Sequence, residues 1–590
     1  MCGIVGYVGK QTKAKTIIHV LKDLEYRGYD SSGIACLNNN EVQTTRQIGS
    51  INELEKLVSD NLNSSCMIAH TRWATHGKPS VENAHPHTSS NGDWTIVHNG
   101  IIENFNHLKT KLKTLPQSET DSAVLSQFLE EQNVQSVSDF VKIFDDVCGS
   151  YAIVGFNKNK QNELFVAKNK SPLYLAQNDD GDVLLASDPI CFKNFSDNYY
   201  TFLDDEFCHV KNKSVEFFNK KCESLKKTKT AMDKSFKNAS KNNFKHFMLK
   251  EINEQQTALQ RQVKTYVDSA CLEKFNKVFI QKFESVKIVG CGTAYHAALI
   301  GAKYISKFTG IPACAEIASE FIYSKPVFAS PKILFIFVSQ SGETADTLRA
   351  QELAQSQGAT TIALTNVLYS TLASKCDHVL PVCAGPEIAV ASTKAFVCQL
   401  SALYVFASHL QNKLQNKNNL YFQHIENVAE KILKFNKNQI DKIAKNLASK
   451  NEAIFIGKDT DWVLASEASL KLKEVAYINS SSYPSGELKH GFLALVQQGT
   501  PLVAIAGNQN LNSKTFNSAH EAISRGAEEV VITNQKVKDF KNAIFIDEQN
   551  EQLFAMLAIV PLQYLAYKVS VLKGNNPDKP RNLAKSVTVE

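Results

Sequence analysis

From about residue 250 to the C-terminus, continuous apolar runs alternate with segments of helical period, twice over and in the same order. The first set is VKIVGCG (286–292), KILFIFVSQSGE (332–343), TTIALTN (360–366) and HVLPVCAG (378–385). The second is NEAIFIGKD (451–459), PLVAIAGNQ (501–509), EEVVITNQ (528–535) and NAIFIDE (542–548). A strand with no polar alternation must be covered on both faces, which in practice means a parallel sheet between layers of helices. The repetition predicts one α/β domain duplicated, over 247–448 and 449–580, with a short tail at 581–590.

The first 210 residues follow a different grammar. Short strands dominate (GIVGYVG, SGIACLN, CMIAHTRWATHG, WTIVHNGIIEN, SYAIVGFN, ELFVAKN, DVLLASD), with helical patterns only at 13–25 and 119–132. That balance predicts a layered α+β domain over 1–210. Between the regions, 211–246 is expected to be a linker. Residues 210–246 hold eleven lysines against three acidic residues, a local charge of +8 that exceeds the +6 of the whole chain. A solvated linker explains this charge better than nucleic-acid binding, because no aromatic platform or nucleic-acid motif accompanies it. No apolar run approaches 18 residues and the N-terminus has no signal-peptide pattern, so neither a membrane span nor a secretory route is expected. The thirteen cysteines are scattered without C-x-x-C pairs, which fits reduced thiols in the cytoplasm and no metal site.

Cys2 stands directly behind the initiator methionine. If Met1 is removed, one residue carries both a thiol nucleophile and an α-amine that is partly unprotonated near neutral pH. Three further clusters are rich in hydrogen-bonding groups. His70-Thr71-Arg72-Trp73-Ala74-Thr75-His76-Gly77 ends a strand, and Arg72 offers a planar fork for a carboxylate. Asn99-Gly100 reads either as a type I′ turn or as a pair of donors to an oxyanion. Asp121, in Ser118-Glu119-Thr120-Asp121, reads as a helix-terminal charge or as a ligand group.

In the duplicated region, Gly290-Cys291-Gly292-Thr293 and Ser339-Gln340-Ser341-Gly342-Glu343-Thr344 each follow a strand and open a helix. Hydroxyls and free N–H groups at a helix start suit a phosphate. Neither loop carries a Lys or Arg, which argues for a sugar monophosphate over a nucleotide. Glu467, Lys471 and Glu474 fall on one helical face, which reads as a solvated salt-bridge row or as a site. His490, in YPSGELKHG, suits proton transfer near neutral pH. No residue pattern requires a metal, nicotinamide or flavin.

Six N-terminal motifs in order (MCGIVGY, LEYRGYDSSGIA, HTRWATHG, NAHPH, HNGIIEN, SETDS) resemble the class II glutamine amidotransferases. HFMLKEINEQ, GCGTAYHA, EIASEF, SQSGETADTL, AGPEIAVASTKAF, LKLKE, GELKHG and PRNLAKSVTVE resemble the sugar isomerase (SIS) domains of the isomerizing glutamine–fructose-6-phosphate aminotransferases, and the resemblance covers essentially the whole chain. It implies an αββα N-terminal-nucleophile fold followed by two SIS domains with parallel sheets, and it implies L-glutamine and D-fructose 6-phosphate as substrates with no cofactor. It further implies that Cys2 attacks the glutamine amide with its own amine as base, that Asn99 and Gly100 form the oxyanion hole, and that Arg72 and Asp121 hold the amino-acid end. Trp73, Thr75 and His76 would lie in the loop covering the site, with Trp73 gating internal ammonia passage. Thr293, Ser339, Gln340, Ser341 and Thr344 would hold the sugar phosphate, with Val390 and Ser392 lining the site. Glu474 would move the C1–C2 proton, His490 from a neighbouring subunit of a homodimer would assist ring opening, and Lys585 would contact the sugar carbonyl. Lys471, Glu467 and Arg27 are further candidates. The chain departs from the family at Lys458-Asp459, where Arg-Gly is usual, at Trp462-Val463 and Phe492, where prolines are usual, and at Ala389, where glycine is usual. Two alternatives remain: a related SIS-domain amidotransferase acting on another sugar phosphate, and a sugar-phosphate-sensing regulator.

Overall fold

The structure is a computed structural model that describes residues 2–73, 77–232, 240–276, 283–324, 330–417 and 420–588. It divides into two units, residues 1–239 with 584–590, and residues 240–583.

The first unit holds two antiparallel sheets. The eight-stranded sheet runs in the order Thr230–Ala231, Asn198–Thr201, Tyr174–Gln177, Val183–Ala186, Gly3–Lys13, Asn63–Arg72, Ser31–Asn38, Glu41–Ile48. The seven-stranded sheet runs Ser224–Leu225, Ser214–Asn219, Glu206–Lys211, Glu163–Asn169, Gly149–Asn157, Trp94–Ile102, His87–Thr88. Ile4, Val8, Ile68, Val97, Val154, Val166 and Leu185 form the buried layer where the sheets face each other. The outer face of the second sheet buries Trp94, Ile96 and Phe165 against Val124, Phe128 and Phe140 of helices Asp121–Glu131 and Val137–Ile143. Helix Ala14–Lys22, with Ile17, Ile18 and Leu21 buried, packs on strands of the first sheet. The four layers are the expected αββα arrangement.

The expected linker begins too early. Strand Ser214–Asn219 pairs with Glu206–Lys211 over its whole length. Phe217 is buried and Val215 packs on the same core, while Ser214 and Glu216 are exposed. The lysines hid this period-two pattern, and one of them, Lys227, closes onto Glu206 at 2.6 Å.

The second unit contains two parallel five-stranded sheets. Their orders are Ala313–Ile317, Ser285–Gly290, Ile333–Ser339, Thr360–Thr365, His378–Pro381 and Asn479–Pro484, Glu452–Gly457, Pro501–Ala506, Glu528–Thr533, Ala543–Phe545. Both follow the sequence order 2-1-3-4-5, the doubly wound arrangement with a switch point between strands 1 and 3. The long helical stretch before residue 447 resolves into Lys394–Gln415, Tyr421–Lys431 and Lys437–Leu447. Helix Glu551–Leu572 is long and apolar enough to cross a membrane, yet it is a core helix, with Phe554, Ala558, Ile559 and Val560 fully buried among neighbours from both repeats.

Candidate active site

In the first unit the site is built from strand ends. Gly3 pairs with Thr71, so the N-terminal strand delivers Cys2 to the point where Asn63–Arg72 ends. The Trp73 N–H lies 3.3 Å from Cys2 Sγ, and the Trp73 carbonyl lies 3.5 Å from it. Burial pushes the Cys2 thiol up, against the Trp73 N–H and the Arg72 guanidinium, which favour the thiolate. Trp73 itself is half-buried and packs edge-on against Tyr29, with ring centroids 5.8 Å apart.

Asn99 and Gly100 do not form a turn. They lie within strand Trp94–Ile102, opposite Ala152 and Tyr151. Asn99 Nδ2 donates to the Cys2 carbonyl at 3.0 Å. Gly100 has φ +131, and a Cβ there would lie 1.9 Å from the Ser150 carbonyl oxygen, so only glycine lets the strands approach. Asp121 is buried at the start of its helix. Its Oδ2 accepts from the Ile102 N–H at 2.8 Å and its Oδ1 from the Ser122 N–H at 2.9 Å. Arg72 is buried and donates to the Gly77 carbonyl at 3.3 Å. Thr75 and His76 lie outside the described residues. Arg27 is buried and donates to Asp188 at 2.9 Å and to the Tyr26 hydroxyl at 3.1 Å. With Tyr26 bonded to the same carboxylate at 2.6 Å, Arg27 braces the wall of the domain.

In the second unit, the Thr293 and Ser339 loops leave adjacent parallel strands, with Gly290 paired to Val338, at the switch point of the first repeat. Gly292 has φ +52 where the chain turns into helix Thr293–Thr309. The second loop is tight. Ser339 Oγ accepts from the Gly342 N–H at 3.0 Å and lies 3.0 Å from Thr344 Oγ1, just ahead of helix Ala345–Ser356. The Ser341 hydroxyl accepts from the Glu343 N–H at 3.2 Å, and the Gln340 carbonyl accepts from the Asn366 N–H at 3.2 Å. Val390 is buried, and its N–H donates to the Asp578 carbonyl at 3.1 Å. The Ser392 hydroxyl donates to Glu387 at 3.0 Å.

Glu467, Lys471 and Glu474 are not a solvated row but a largely buried cluster. On helix Thr460–Ala476, the Glu467 and Lys471 side chains are 0% and 1% exposed, and Lys471 Nζ donates to Glu474 at 2.6 Å and to Thr293 Oγ1 at 3.0 Å. Glu467 accepts from the Thr293 hydroxyl at 3.1 Å and faces His296 Nδ1 at 2.7 Å. Burial opposes the Lys471 charge, but the Glu467 and Glu474 carboxylates outweigh it and raise its pKa. Sequence reasoning did not single out His296 or Glu387. His296 carried a signal: it lies three residues after Thr293, on the same face of the helix. His490 is exposed just after the turn Glu487–Lys489, and its ring has no hydrogen-bond partner among the described residues. Lys585 is half-buried in the segment grouped with the first unit.

In the second repeat an internal carboxylate sits at the turn equivalent to the Ser339–Thr344 loop. Asp461 Oδ2 accepts from the Gly507 N–H at 2.8 Å and the Asn508 N–H at 3.3 Å, the donors that follow the strand equivalent to Ile333–Ser339. Burial pushes the Asp461 carboxyl up to about 7, against these two N–H groups.

Comparisons with known proteins fit this geometry. The SIS domain family matches residues 279–409 and 446–573, and the glutamine amidotransferase domain family matches 70–194. The glutamine–fructose-6-phosphate aminotransferase (isomerizing) of Clostridium acetobutylicum is 38% identical, and that of Caldanaerobacter subterraneus subsp. tengcongensis 39% identical, each over the full length of both chains. The solved C-terminal domain of the glucosamine-fructose-6-phosphate aminotransferase of Francisella tularensis superposes with a TM-score of 0.55 at 35% identity, covering 58% of this chain and 100% of that one.

Proposed function

Because the chain belongs to the family of isomerizing glutamine–fructose-6-phosphate aminotransferases, we propose that it transfers the amide nitrogen of L-glutamine to D-fructose 6-phosphate, forming D-glucosamine 6-phosphate and L-glutamate. This is the entry reaction of amino-sugar synthesis. The observation that carries the reading is the meeting of Cys2 with Asn99 and the Trp73 backbone in a chain that also holds the Thr293–Glu467–Lys471–Glu474 cluster.

In this reading Cys2 Sγ attacks the glutamine side-chain carbonyl once its proton passes to its own α-amine. Asn99 Nδ2 and the Gly100 N–H stabilise the oxyanion, a single such donor being worth about 3–4 kcal/mol. Ammonia leaves, and water hydrolyses the thioester to glutamate. Arg72 and Asp121 hold the α-carboxylate and α-ammonium of glutamine, and Trp73 gates the release of ammonia. At the sugar site, the Ser339–Thr344 loop and its helix start take the phosphate, with Val390 and Ser392 lining the pocket. Ammonia adds to the C2 carbonyl, aided by Lys585. Glu474, polarised by Lys471, then carries the proton from C1 to C2 as the ketimine becomes the aldose. Exposed His490 assists ring opening in a neighbouring subunit, which makes the working enzyme a homodimer. Its reduced thiols suit the cytoplasm.

The test is mass-spectrometric detection of glucosamine 6-phosphate from glutamine and fructose 6-phosphate, run beside Cys2→Ala. Product from the wild type and none from the variant is expected. Glutamate without amino sugar would refute the acceptor assignment.

A further inference from the structure

His70 lies on strand Asn63–Arg72, fully buried, two residues before Arg72. Its Nε2 is 3.0 Å from the His98 carbonyl oxygen and 3.0 Å from Asn99 Oδ1. A carbonyl can only accept, so Nε2 carries the proton and Nδ1 is bare. That proton also decides which way the Asn99 amide faces. With Oδ1 towards His70, Nδ2 reaches the Cys2 carbonyl at 3.0 Å. The reversed amide would set N–H against N–H on one side and oxygen against oxygen on the other. Two independent contacts therefore agree on one orientation. The Cys2 carbonyl takes one Nδ2 hydrogen and leaves the second.

We infer that His70 is a positioning residue of the glutaminase half-reaction, locking the Asn99 amide so that its remaining N–H serves the oxyanion formed at Cys2. The inference rests on the reading of Cys2 as nucleophile and Asn99 as oxyanion donor.

The surroundings fix the ring in this state. His85 stacks on His70 with centroids 4.1 Å apart and an interplanar angle of 30°, and His87 packs against His85 at 4.5 Å. His87 Nε2 meets Thr120 Oγ1 at 2.9 Å, and Thr120 caps the helix that Asp121 opens. A row of three rings, the first pair stacked and the second edge-on, thus ties the Asn99 amide to the segment carrying Asp121. His70 Nδ1 and both His85 nitrogens are buried and have no hydrogen-bond partner among the described residues, so a second proton on His70 would find no acceptor. Burial accordingly holds the His70 pKa down to about 3, and the ring stays a neutral, single-tautomer donor.

The experiment has two arms. In wild-type protein labelled with 15N-histidine, His70 is expected to show a protonated Nε2 and a bare Nδ1 from pH 5 to 9. The opposite tautomer, or titration in this range, would overturn the inference. In the second arm, glutamate release is measured for His70→Phe, which keeps a ring but has no donor, and for His70→Gln, whose amide restores an N–H. His70→Phe is expected to lose about 10²–10³-fold in kcat, with the glutamine KM and inhibition by glutamate within about twofold. His70→Gln is expected to recover at least about tenfold of that loss. Wild-type kcat in His70→Phe, parallel losses in kcat and KM, or no recovery in a folded His70→Gln would overturn the inference. If His70→Phe does not fold, the wild-type tautomer decides. A wild-type protein that releases no glutamate would instead refute the Cys2 reading, so the two failures are distinguishable.

Discussion

Replacing Gly100 with alanine tests the geometry of the oxyanion strand most severely. At φ +131 a non-glycine residue is strained by about 1–3 kcal/mol. The added Cβ would sit 1.9 Å from the Ser150 carbonyl oxygen and 2.6 Å from its carbon, both backbone atoms of the paired strand. Relief to ordinary contact requires strands Trp94–Ile102 and Gly149–Asn157 to part by about 1.5 Å, an overpacking cost of about 1–3 kcal/mol. Gly100→Ala should therefore destabilise the N-terminal unit by about 2–6 kcal/mol. Because Asn99 moves with the strand, and a 1 Å misplacement costs about 10²-fold, kcat for glutamate release should fall at least that far. Thermal unfolding and single-turnover glutamate release measure the two effects. Gly49→Ala is the control, with φ +94 but open space around the added Cβ, so it carries strain without collision and no effect on kcat. A Gly100→Ala enzyme with wild-type kcat, or one no less stable than Gly49→Ala, would show that the close strand approach at Gly100 does not hold Asn99 in place.

Three other outcomes are expected. Asp121→Asn should raise the glutamine KM about 10–100-fold with kcat changed only a few-fold, because in the proposed function it removes a charge-assisted contact to the α-ammonium; steady-state kinetics checks this. Asp459→Gly should stabilise the second unit by about 1 kcal/mol in denaturant titrations. Asp459 is held at φ +57, ψ −119, nearly the conformation of Gly292 in the first repeat, and relieving about 1–3 kcal/mol of strain outweighs its half-exposed pair with Lys303. The Asp461 carboxyl is raised by burial from 3.8 to about 7, so its stabilising contribution is complete below pH 4 and is lost as pH rises through 7. The stability of wild type minus that of Asp461→Asn should fall by about 3–4 kcal/mol between pH 4 and 7, and a flat difference would contradict the assignment.

The duplicated α/β unit was legible because a strand buried on both faces must be apolar throughout, a pattern little else produces. The N-terminal sheets were legible only where alternation was clean. Ser214–Asn219 was missed because its exposed positions and flanking lysines masked Val215 and Phe217. Local residue patterns could not decide Asn99-Gly100, since a turn and a close strand approach both call for glycine; pairing with Ala152 and Tyr151 settles it. Nor could they place Glu467 and Lys471, because i, i+4 charges look alike exposed or buried. Their partners include Thr293 and His296, some 170 positions away in sequence. His70 stood inside a conspicuous motif, but its role depends on the amide orientation of Asn99, which no spacing encodes.

Transfer of the amide nitrogen can be followed with an isotope. Glutamine labelled with 15N in the side-chain amide is incubated with fructose 6-phosphate and excess unlabelled ammonium at neutral pH, and the amino sugar is weighed by mass spectrometry. Glucosamine 6-phosphate is expected to carry the 15N label in nearly every molecule and to form one-for-one with glutamate. Amino sugar diluted to the isotope ratio of the bulk ammonium, or glutamate formed with no amino sugar at all, would contradict that transfer.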